Sequence, residues 1–99
     1  MNNIDIIIEG LNQIFNEKYP NKGHFVGKTL IEDCSFKLYR KLSISLYFIY
    51  NGSKQLITTI DVSGKAQNND ISKLQENLCI KFAIYILQNL ENLLRYGIQ

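Results

Sequence analysis

Apolar residues open the chain at helical spacing. Ile4, Ile7, Ile8, Leu11, Ile14 and Phe15 recur at i, i+3, i+4 and i+7, the pattern of an amphipathic helix. Asn3 is placed to cap it, and Asp5 and Glu9 lie toward the positive end of its dipole. Gly10 weakens it by about 1 kcal/mol relative to Ala, and Tyr19-Pro20-Asn21-Lys22-Gly23 stops it. Between Phe36 and Tyr50 the period becomes two. Phe36, Leu38, Leu42, Ile44, Leu46, Phe48 and Tyr50 share one face; Lys37, Tyr39, Lys41, Ser43, Ser45, Tyr47 and Ile49 share the other. Arg40 alone interrupts the apolar face, which points to a bulge or a strand start there. A further strand is expected from about Lys54 to Val62, with Leu56, Ile60 and Val62 facing the core. Phe25 to Ile31 is β-prone without clear alternation and reads as an additional edge strand.

Parity constrains the turn at Asn51-Gly52. A two-residue loop pairs Phe48 with Gln55 and sends the two apolar faces to opposite sides of the sheet. A three-residue loop, Tyr50-Asn51-Gly52, keeps even positions opposite even ones with Gly left-handed. That choice places Leu46 against Leu56, Leu42 against Ile60 and Lys41 against Asp61; shifting the loop by one residue preserves the parity, so the exact register stays open.

Ser63 to Asn69 reads as a loop. A long helix follows, from Asp70 or Ser72 to about Tyr96, with Gly97 as its terminator. Ser72 with Gln75 fits a capping box, and Asp70 is the rival cap. From Leu78 to Leu87 this helix is apolar on nearly every side, whereas a helix lying on a sheet needs one stripe. The surplus predicts a homodimer, with Ile80, Ile84, Leu87 and Leu94 at its interface. The expected fold is a single α+β domain over residues 1–99, of order α-β-β-β-α. It has a three-stranded, mostly antiparallel sheet with two helices on one face, and Ile7, Leu11, Phe15, Leu78, Phe82 and Ile86 complete the core.

The 99 residues, with one Pro, no Trp and two Cys, suit one small domain. They are too apolar for a disordered tail and too poor in Cys for a disulfide scaffold. No basic, leader-like segment opens the sequence and no apolar run approaches the roughly twenty residues of a membrane span, so a cytoplasmic protein with reduced thiols is expected. Ile, Asn, Lys and Tyr are abundant while Arg occurs twice; their AT-rich codons suggest a low-GC bacterium, phage or other mobile element. The net charge is +2, and the excess lies in the middle third, where seven bases face Glu32, Asp33 and Asp61.

Catalytic motifs fail on spacing. Gly23 to Thr29 imitates a phosphate-binding loop, but three residues rather than four separate its glycines. His24, Cys34 and Asp33 form a nucleophile set only if the fold brings them together, and no Cys or His pair has metal-ligand spacing. No cofactor is expected. The element order resembles that of double-stranded RNA-binding domains and of small dimeric nucleoid-associated proteins. The basic cluster with which the RNA-binding family opens its second helix is absent here, where Asp70 to Glu76 carries Lys73 alone.

The remaining candidate is the polar face of the long strand with its flanks: Lys37, Tyr39, Lys41, Tyr47, Lys54 and Lys65. Tyr supplies contact area at low entropy cost, so the first expectation is a non-catalytic protein-binding module. In its finer form this is a phage or mobile-element inhibitor of a host enzyme or defence complex, of anti-CRISPR type. The alternative is a nucleic-acid binder in which the same rings stack on bases and the lysines meet phosphates.

Overall fold

The computed structural model describes residues 3–34, 39–65 and 70–98, with backbone alone at Cys34, Lys65 and Asp70. Helix α1 (Asn3–Lys18) leads into strands β1 (His24–Cys34), β2 (Tyr39–Tyr50) and β3 (Ser53–Lys65). Helix α2 (Asp70–Gln88), a short helix α3 (Leu90–Leu94) and a 3-10 turn (Arg95–Gly97) complete the chain. The strands form one antiparallel sheet of order β1-β2-β3, and the α+β architecture is as the periodicity predicts. The strand residues Phe36, Lys37 and Leu38 lie outside the described residues.

Helix α1 buries Ile4, Ile8, Leu11 and Phe15, and α2 buries Leu74, Leu78, Phe82 and Ile86 at four-residue intervals. Both stripes meet the sheet face that carries Leu42, Ile44, Leu46 and Phe48. At one end the core is aromatic. Phe15 packs on Phe25 and Phe48 with ring centroids 5.2 and 5.4 Å apart, and Tyr96 lies 5.0 Å from Phe48. Offset and edge-on rings of this kind add to the area they bury.

The β2–β3 hairpin departs from the expected turn. Tyr50 pairs with Ser53, so the loop is the two residues Asn51-Gly52. Both have positive φ, 54° and 79°, a type I′ turn whose twist suits a hairpin. Phe48 does pair with Gln55, the arrangement that parity argued against. A bulge resolves the conflict. Tyr47 faces Leu56 while Leu46 faces Thr58, so Ile57 is the extra residue and parity switches there. Beyond it Ile60 and Val62 face the core opposite Ile44 and Leu42. Before it Leu56 is turned to the other side of the sheet and is 55% exposed. Lys41 stands opposite Ser63 rather than Asp61, and reaches Asp61 diagonally at 3.6 Å.

The single long helix expected to run to Tyr96 is broken at Asn89. Its φ and ψ are −114° and 13°, and its side-chain amide donates to the Tyr85 carbonyl at 2.9 Å. A side chain competing for that carbonyl is a known cause of helix bending. The break lets Leu93 and Tyr96 turn down onto the core. Close by, Tyr85 has its phenol pKa raised, first by burial and then by Tyr96, against a hydrogen bond with Thr58 that lowers it. Because the folded value exceeds the unfolded one, this contribution is complete below about pH 10. It is lost as pH rises from there through the folded value. Urea midpoints measured from pH 8 to 11 should fall above pH 10, and Tyr85→Phe should flatten that fall; an unchanged slope would remove Tyr85 as its source.

Candidate functional site

The helices cover one face of the sheet and leave the other open among the described residues. On the open face Val26, Tyr47 and Leu56 lie in one cross-strand row, and His24, Ile49 and Lys54 in the next. The Lys54 ammonium sits 4.4 Å from the centre of the Tyr47 ring, a cation–π contact that holds the ring against the strand. Further along, the Ser45 and Thr59 hydroxyls share a hydrogen bond of 2.9 Å, and Lys41 pairs with Asp61. The result is an apolar and aromatic patch at one end of a polar sheet face. Leu56 belongs to it only because of the bulge.

The open face brings together Tyr39, Lys41, Tyr47 and Lys54, and the backbone of Lys65 lies opposite Tyr39. Lys37 falls outside the described residues. Tyr39 and Tyr47 are eight residues apart on one strand, about 26 Å, so the two rings form separate contact points. The described side chains of this face include Lys28, Lys41 and Lys54 against Glu32 and Asp61. Two of the three lysines are already engaged, one by a carboxylate and one by a ring. Val26, Ile49 and Leu56 were not anticipated as site residues. The signal for Leu56 was present in the Asn51-Gly52 dipeptide, which favours the two-residue turn that reverses its side.

On α2, Ile80, Ile84 and Leu87 are 59, 49 and 75% exposed and form a stripe facing away from the sheet. Leu94 does not join it and packs against the core. A cleft of about 380 Å3 opens between the first turns of α1 and α2, with Thr29, Ile31 and Leu42 on its floor and Gln75, Glu76 and Cys79 among its walls. His24 and Cys34 occupy opposite ends of β1, roughly 33 Å apart along an extended strand, so they form no nucleophile and base. The stretch that imitates a phosphate loop is largely β1 itself. Among the described residues no cluster of His, Cys, Asp and Glu could hold a metal ion, and no helix is long and apolar enough to cross a membrane. No protein-family model, curated protein or solved structure matches the chain.

Proposed function

We propose that this chain is a non-catalytic binding module whose partner is a protein docked on the open sheet face. The observation that carries this reading is the patch of Val26, Tyr47, Ile49 and Leu56, placed on the side of the sheet without helices. Leu56 is exposed and Val26, Tyr47 and Ile49 are half-buried beside it; such a group, rimmed by Lys54 and His24, has the composition of a protein contact, with a ring anchor and a polar border. The nucleic-acid alternative is less well supported, because affinity for phosphates needs several free cations and Lys41 is paired with Asp61. The finer reading, an inhibitor from a phage or mobile element acting in the cytoplasm of a low-GC host, rests on size and codon composition.

Immobilised protein should retain a stoichiometric protein from a low-GC bacterial lysate after nuclease treatment. Tyr47→Ala and Leu56→Lys should each lower that retention at least tenfold without shifting the thermal midpoint by more than a few degrees. Retention equal to wild type in both variants would place the site elsewhere. Loss of all retained material on nuclease treatment would favour the nucleic-acid reading instead.

A further inference from the structure

The outer edge of β1 shows which backbone groups it offers. The Asn12 side-chain amide donates to the Phe25 carbonyl at 2.8 Å and accepts from the Phe25 N–H at 2.7 Å. Phe25 therefore directs both groups away from β2, and strand alternation makes Gly27, Thr29, Ile31 and Asp33 do the same. Among the described residues no backbone pairs with that edge. The opposite edge is partly occupied, since Lys81 of α2 reaches over β3 to donate to the Asp61 carbonyl at 2.9 Å. In the middle of the free edge Leu30 and Ile31 point to opposite faces and are 51 and 52% exposed. Natural edges are normally protected by charge, Pro, a bulge or a covering element. On this edge Asn12 closes Phe25, and Lys28, Glu32 and Asp33 supply charge of both signs, which an antiparallel second copy can pair instead of repel.

We propose that a second copy of this chain pairs with β1 antiparallel, edge to edge, with Leu30 on the two-fold axis. Symmetric registers centred on a residue match outward-directed positions with one another, and the three in the middle of the strand are centred on Thr29, Leu30 or Ile31. Centring on Thr29 sets Lys28 against Leu30 of the second copy and drives Asp33 into the edge position that Asn12 already fills. Centring on Ile31 sets Glu32 against Leu30. Centring on Leu30 sets Lys28 against Glu32 twice, joins the two exposed leucines, and places Thr29 beside Ile31. In that register pairing runs from Gly27 to Asp33 and stops short of Phe25, where Asn12 closes the edge. It forms about eight interchain hydrogen bonds.

The helices leave room for this pairing. Asn3 and Ile4 line the same cleft as Thr29 and Ile31, and α1 runs from there toward Phe25, which Asn12 contacts. About a two-fold axis at Leu30, the two α1 helices start near the axis and lead away from each other. The product is a six-stranded sheet whose open faces are continuous. The inference stands on the edge and its charges and is independent of the partner proposed above.

Sedimentation of the full chain at 5 to 200 μM should show a species of twice the 11.5 kDa chain mass. Lys28→Glu and Glu32→Lys should each raise the dissociation constant at least tenfold, and the double variant should restore it. Lys28, Leu30 and Glu32 are all exposed. Glu32 also faces Lys41 within the chain, so a thermal melt accompanies each variant. With Cys34→Ser and Cys79→Ala, Leu30→Cys should form a disulfide-linked dimer under mild oxidation, because directly opposed strand residues have the required Cα separation. A monomer at every concentration would overturn the proposal. So would a dimer indifferent to both charge reversals, as association through Ile80, Ile84 and Leu87 predicts. A double variant as weak as either single one would overturn the register.

Discussion

Phe15→Ala should destabilise the domain by about 3–5 kcal/mol, the usual cost of removing a fully enclosed aromatic ring. Phe15 has no exposed surface, and its ring touches those of Tyr19, Phe25 and Phe48 with centroids 5.5, 5.2 and 5.4 Å away. It joins α1 to both β1 and β2, so the cavity opens where three elements meet and none can close it alone. For a chain of this size the thermal midpoint should fall by roughly 15–30 °C, against a total stability of about 5–15 kcal/mol. The neighbouring Ile14 is equally apolar but 45% exposed, and Ile14→Ala should change stability by about 0.5 kcal/mol or less. Equal losses from the two substitutions would mean that α1 does not dock on the face described.

Gly23→Ala should cost about 3 kcal/mol, a large effect for one added methyl group. Gly23 lies between α1 and β1 with φ of 114°, a region that residues with a Cβ rarely enter. An added Cβ would also stand 2.5 Å from the Ile49 carbonyl oxygen and 2.7 Å from the Phe48 ring. The oxygen is backbone in a paired strand and cannot move aside without disturbing the β1–β2 ladder. Chemical denaturation of Gly23→Ala and Gly52→Ala separates the two causes. Gly52 also has positive φ, 79°, but its Cβ would meet nothing within 4 Å, so its loss should be the conformational part alone, about 1 kcal/mol. Similar losses at both sites would show that the contact with Ile49 is relieved by a small shift.

Much of the fold was legible because it rests on local periodicity. The stripe from Ile4 to Phe15 and the alternation from Leu42 to Phe48 each specify an element and its buried side, and the structure uses both as expected. The register of β3 was not legible. Asn51-Gly52 favours a two-residue turn, whereas the apolar positions of β3 favour an odd-length loop, and both demands are satisfied by a bulge at Ile57. That solution reverses Leu56 and creates the patch beside Tyr47. The candidate site was therefore read in part: the lysines and tyrosines of β2 follow from alternation, but Leu56 depends on where parity switches.

The amino-acid pattern alone determined the kind and order of the elements, the two helix stripes and the core side of β2, because each depends on residues a few positions apart. Tertiary structure decided where the bulge falls, the break of the last helix at Asn89, the closure of one edge position by Asn12 and the exposure of Leu30 and Ile31. Each of these depends on residues distant in sequence competing for the same backbone group or the same space: Asn12 with a neighbouring strand for Phe25, and Leu93 and Tyr96 with solvent for the aromatic end of the core. Periodicity carries no information about such competitions, because their outcome is set by packing and hydrogen bonding across the whole domain.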